Sequence, residues 1–69
     1  MNAAQLAKSD RLRRVKTFLS DHKPHSTLEI VSKANVCAVN SIVAELRANG
    51  VPIKCQRRGD RWYYEMERS

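Results

Sequence analysis

Sixty-nine residues with 13 Lys and Arg against 7 Asp and Glu, a formal net charge of +6, describe one small basic domain. A core of that size stabilises a fold only modestly, and the charge suits a polyanion, nucleic acid before an anionic membrane. No apolar run reaches the length of a membrane span, and no nucleophile–base pair, paired carboxylates or glycine-rich phosphate loop points to catalysis.

In chain order, residues 1–8 are weakly specified, with Ala3, Ala4, Leu6 and Ala7 able to form a turn or fray. Ser9 or Asp10 caps a first helix predicted to reach about Asp21. Its inner face is Leu12, Val15 and Leu19 with Phe18 at the edge. Arg11, Arg13, Arg14 and Thr17 lie opposite, a solvated or phosphate-contacting face. Pro24 breaks the helix, and a short extended piece around His25 can pair with a sheet edge.

The segment from His25 to Arg47 reads as two helices joined by a tight turn. Ser26 is an N-cap, and Glu29 completes a capping box ahead of Leu28, Ile30 and Val31. The first helix of the pair stops at Ala34-Asn35, because Asn accepts a left-handed conformation. Val36 points inward, and a second helix, 37–49, starts near Cys37. Val39, Ile42, Val43 and Leu46 form its apolar stripe, and Gly50 ends it. This is the pattern of a helix-turn-helix.

After Pro52, the run I-K-C-Q-R-R-G-D-R-W-Y-Y-E-M alternates around Gly59-Asp60, a two-residue hairpin turn of type II′. The register sets Arg58 opposite Arg61, Arg57 opposite Trp62, Gln56 opposite Tyr63 and Cys55 opposite Tyr64. It also sets Lys54 opposite Glu65 and Ile53 opposite Met66. Ile53, Cys55, Trp62, Tyr64 and Met66 then share a face expected to cover the helices, and Arg57 over Trp62 allows a cation–π contact. The predicted fold is therefore α+β, a winged helix-turn-helix over 9–66 in which three helices precede a C-terminal β-hairpin wing, with 67–69 as a tail.

His22 and His25 with Cys37 and Cys55 match no zinc spacing and include no C-x-x-C, so neither metal nor cofactor is expected and the cysteines are read as free thiols. The N-terminus shows no signal-peptide core, so a cytoplasmic location is expected.

S-T-L-E-I-V-S-K-A-N-V followed by V-A-E-L-R-A-N-G-V-P-I resembles the small winged helix-turn-helix proteins of phages and prophages. The family motif runs from Ser26 to Ile53, and the order of elements extends the likeness to residues 10–66. The chain is more distantly similar to the DNA-binding domain of the biotin repressor. The resemblance implies duplex DNA binding in a bacterial host cell, the second helix of the pair in the major groove and the wing on backbone or minor groove. Asn35 stands at the family's turn glycine, Cys37 at its Ser/Thr cap and Ala38 at a frequently basic position.

The surface expected against DNA comprises Lys33, Ala38, Asn40, Ser41, Ala44, Arg57, Arg58 and Arg61. Asn40 can pair bidentately with adenine, Ser41 can bond a base or phosphate, and Ala44 permits close approach; Ala38 supplies no polar contact. The three wing arginines can enter a narrow minor groove, and Lys33 and Lys23 can anchor backbone. Arg47 is read as structural, paired with Glu29 or Asp21. So neutral a helix beside a basic wing implies modest specificity, raised by a homodimer or a cooperative oligomer. The expected role is transcriptional regulation. The alternatives are an excisionase-like factor that bends DNA and, in another class, a winged-helix module that inhibits a host protein.

Overall fold

The computed structural model describes residues 9–68, so 1–8, expected to be weakly ordered, and Ser69 of the tail lie outside the described residues. The order is α1 (Asp10–Phe18), a 3-10 turn (Leu19–Asp21), β1 (His25–Ser26), α2 (Thr27–Ala34), α3 (Val39–Ala48), β2 (Ile53–Arg58) and β3 (Arg61–Met66). The architecture is α+β, with three α-helices and an antiparallel sheet in the order β1-β3-β2. That arrangement is compatible with a winged helix.

Ser9 caps α1, its hydroxyl accepting from the Leu12 amide. The expected single helix to Asp21 tightens into the 3-10 turn after Phe18, and His22 closes it in the left-handed region at φ 60°. The Nδ1–H of His22 donates to the Met66 carbonyl at 3.0 Å, which fastens this corner to the end of β3. Leu12, Val15 and Leu19 are fully buried, as their spacing requires.

His25 pairs with Tyr64 and Ser26 with Tyr63, so the extended piece after Pro24 does join a sheet edge. Ser26 also caps α2, accepting from the Glu29 amide at 3.1 Å. The reciprocal half of the capping box is replaced: the Glu29 carboxylate sits 3.2 Å from Nδ1 of His25, without hydrogen-bond geometry. Nε2 of the same ring meets the Asp21 carboxylate at 2.9 Å, and the ring packs on Phe18.

The Asp21 carboxylate also accepts from the Lys23 amide at 3.0 Å, and that bond, then His25, holds its pKa below the ordinary 3.8. A depressed carboxylate contributes stability above its unfolded pKa and loses it as pH falls through the folded value. Asp21→Asn is therefore expected to lower Tm at pH 5, and the gap from wild type should close as pH drops below about 4. Melting curves of both proteins across that range check it.

α2 ends as expected, Asn35 turning left-handed at φ 54°, ψ 54°, with Val36 half-buried behind it. The stop is reinforced from outside: Arg14 of α1 donates through Nε to the Ala34 carbonyl at 3.1 Å and through a terminal nitrogen to that of Asn35. A guanidinium there satisfies carbonyls that a helix C-terminus leaves open.

The expected helix 37–49 is shorter at both ends, Val39–Ala48, and Cys37 precedes it. The cause is Ala38, which takes φ 50°, ψ 50° and gives the helix no side-chain cap. An alanine in that region is strained by roughly 1–2 kcal/mol, partly offset in a glycine variant by its freer unfolded chain. Ala38→Gly should therefore stabilise the fold by about 0.5 kcal/mol, raising Tm by roughly 2–4 °C. Differential scanning calorimetry measures it.

Val39, Ile42, Val43 and Leu46 are all buried, as the stripe predicts. Gly50 ends α3 at φ 86°, and the Val51 amide reaches back to the Leu46 carbonyl at 3.0 Å. The β2–β3 hairpin has the predicted register from Ile53–Met66 to Arg58–Arg61. Gly59 has a positive φ and Asp60 does not, the requirement of a type II′ turn.

The face expected to cover the helices does so only at its root. Ile53, Tyr64 and Met66 are buried, whereas Cys55 is exposed and Trp62 is 49% exposed. Alternation assigns those residues to the correct side, but toward the tip the hairpin meets only the start of α2, across an open groove with Thr27 and Leu28. Leu28, on α2, is also outside the core at 71% exposure.

Candidate nucleic-acid interface

The hairpin tip carries Arg57, Arg58 and Arg61, all exposed. Gly59 and Asp60 turn the chain there, so the three side chains crowd a short length of backbone. Nε of Arg57 donates to the Gly59 carbonyl at 2.9 Å, which steadies the turn and leaves its terminal nitrogens open. Arg58 lies over the Tyr63 ring, 5.4 Å from its centroid. The expected stack of Arg57 on Trp62 is thus replaced by the diagonal pair on the other face, where Arg58 and Tyr63 both project. Among the described residues none of the three guanidinium groups is in an ion pair.

Charges elsewhere are mostly committed. Arg11 bonds Glu45 of α3 at 3.3 Å, Arg13 pairs with Asp10, and Arg14 holds the end of α2. Lys54 meets Glu65 at 3.8 Å across the hairpin, as the register anticipates. Arg47 does not pair with Glu29 or Asp21; its Nε donates to the Ile53 carbonyl at 2.9 Å. The reason is position: Arg47 leaves α3 beside the root of β2, and so ties the hairpin to the helix. The basic face of α1 is therefore largely a bracing surface, and among the described residues the densest group of cations outside ion pairs is at the hairpin tip, with Lys16, Lys23, Lys33 and Arg68 scattered elsewhere.

The exposed face of α3 carries Asn40, Ser41 and Ala44, with Ala38 just ahead of its first turn. Ser41 and Ala38 line a groove with Arg11, Arg14 and Glu45, on the α1 side. Asn40 lines a different recess with Thr27, Cys55, Trp62 and Tyr64, on the hairpin side. The Tyr64 hydroxyl donates to Oδ1 of Asn40 at 2.7 Å. Lys33 is exposed beside Arg13 and Arg14 and shares a groove with them, not with Asn40. The expected residues thus fall into a hairpin cluster, an α3 face and an isolated lysine.

Sequence reasoning missed Tyr64 as a partner of Asn40 and Thr27 as a brace, its hydroxyl donating to the Trp62 carbonyl at 3.4 Å. The register already put Tyr64 on the helix-facing side, and a tyrosine there needs a partner for its hydroxyl. That signal was available. No group of His, Cys, Asp and Glu able to hold a metal exists among the described residues, and no helix among them is long and apolar enough to cross a membrane. No family model matches the chain, and neither a curated protein nor a solved structure is significantly similar to it.

Proposed function

We propose that this protein binds double-stranded DNA as a small winged helix-turn-helix regulator of the phage or prophage type. α3 lies in the major groove and the β2–β3 hairpin acts as the wing on backbone or minor groove. The observation that carries the reading is the hairpin tip, where Arg57, Arg58 and Arg61 are exposed and, among the described residues, in no ion pair, with Asp60 the one acidic side chain of the turn. Guanidinium groups so placed match phosphate oxygens and a narrow minor groove. Small neutral residues on α3 favour close approach to a groove. A helix with few readers beside a basic finger favours two or more copies on one site.

Electrophoretic mobility assays on a short duplex over a range of salt test this. Affinity is expected to fall steeply with salt, as counterion release from phosphate demands. Failure to retard any duplex at low salt would overturn the reading. A footprint separates the regulator, with one short protected palindrome, from an architectural factor with long repeated protection and bending.

A second reading, a protein-interaction module that inhibits a host protein, is favoured by one observation. Leu28 and Trp62, the two large exposed apolar side chains among the described residues, line the same groove beside Arg61. It predicts binding that persists at high salt and is lost in Leu28→Ala.

A further inference from the structure

Asn40 is the second residue of α3, in the turn where a helix entering the major groove brings side chains to base edges. Its carboxamide has an acceptor end and a donor end. The Tyr64 hydroxyl, on a ring buried to 6% exposure, holds the acceptor end at 2.7 Å. Oδ1 is thereby turned toward strand β3. Nδ2 has no partner among the described residues, and Asn40 itself is exposed, so the amino group is the end left open to a ligand.

Bases differ in what they ask of such a group. Adenine shows N7 beside a 6-amino donor and is read bidentately only by an amide that offers both ends. Guanine shows two acceptors, N7 and O6, and takes donors alone. We infer that Asn40, oriented by Tyr64, selects guanine in the major groove through its Nδ2 amino group. The inference rests on the duplex-DNA reading above and changes the base expected from the residue type alone. Tyr64 is a positioning residue: it acts through Asn40 and couples the hairpin strand to the helix. Burial raises its phenol above the ordinary pKa of 10.0, so it remains a donor at neutral pH.

Selection of duplexes from a random pool by the full 69-residue chain, followed by base substitution in the recovered site, tests this. The wild type is expected to fix a guanine. Asn40→Ala should lower the preference for that guanine over adenine about five- to tenfold, a ratio read within one protein and so separate from any overall loss of affinity. Tyr64→Phe should lower the same preference by a smaller factor, because the amide is free to turn. The double variant should lose no more than Asn40→Ala alone. Replacing the guanine by 7-deazaguanine should weaken wild type and leave Asn40→Ala unaffected. Should Tyr64→Phe fail to fold, the Asn40→Ala and deazaguanine arms decide alone. A recovered adenine, no preference at all, or a preference that survives Asn40→Ala overturns the inference while duplex binding stands. Absence of wild-type binding to any duplex at low salt removes both together.

Discussion

Replacing Arg58 and Arg61 by alanine is expected to weaken duplex binding roughly 50-fold at about 0.1 M salt. Each neutralised phosphate contributes close to one unit to the slope of log affinity against log salt, so that slope should flatten by about two. Both side chains are exposed on the hairpin and pair with no carboxylate among the described residues, so their loss, including the stack of Arg58 on Tyr63, should cost no more than about 1 kcal/mol of stability. Arg13→Ala is the internal comparison. It removes the same charge from α1, but that arginine is already paired with Asp10, and a much smaller change in slope is expected. Filter binding of all three proteins across salt concentrations measures the difference. Equal slopes would place the contact with DNA somewhere other than the hairpin.

The largest expected effect on stability comes from Leu46→Ala. Leu46 is fully buried where α3 packs against the rest of the core, and its truncation leaves a cavity costing about 2–5 kcal/mol. A domain of this length has only roughly 3–10 kcal/mol of total stability. Tm should therefore fall by about 10–30 °C, and the variant should be partly unfolded at 37 °C. Leu28→Ala removes the same atoms from a side chain 71% exposed and should shift Tm by no more than a few degrees. Circular dichroism melts of the two variants make the comparison. If they lost equal stability, the assignment of α3's inner face would be wrong.

Where local chemistry decides, the chain is readable from its sequence. Gly59-Asp60 fixes one turn type, and that turn fixes every pair from Arg58–Arg61 to Ile53–Met66. Asn35 and Gly50 end helices because both tolerate the left-handed backbone they adopt. The residues that escaped are set by tertiary fit. Ala38 has no preference for φ 50°, and is held there because the stripe from Val39 to Leu46 must face the core. Alternation assigns Cys55 and Trp62 to the helix-facing side, yet only the positions of the helices determine that they line open recesses with Thr27, Leu28 and Asn40 and stay outside the core. Arg14 reads as surface charge and Arg47 as half of a structural ion pair, while their actual partners are backbone carbonyls of Ala34, Asn35 and Ile53.

The candidate site divides the same way. The arginine cluster was legible because three basic residues flank one short turn. The bond from Tyr64 to Asn40 joins positions 24 residues apart and is invisible to any helical or strand period. It nevertheless decides which end of the Asn40 amide is already bonded, the observation on which the proposed preference for guanine rests.

The central claim is that the hairpin tip and the exposed face of α3 together contact a duplex. Titrating the isotope-labelled protein with a short duplex at low salt, and following each backbone amide by NMR, tests it most directly. The largest shift changes are expected at residues 57–62 and 38–44, with α1 nearly silent. Changes confined to α1 and Lys33, or none at all when duplex is in excess, would contradict it.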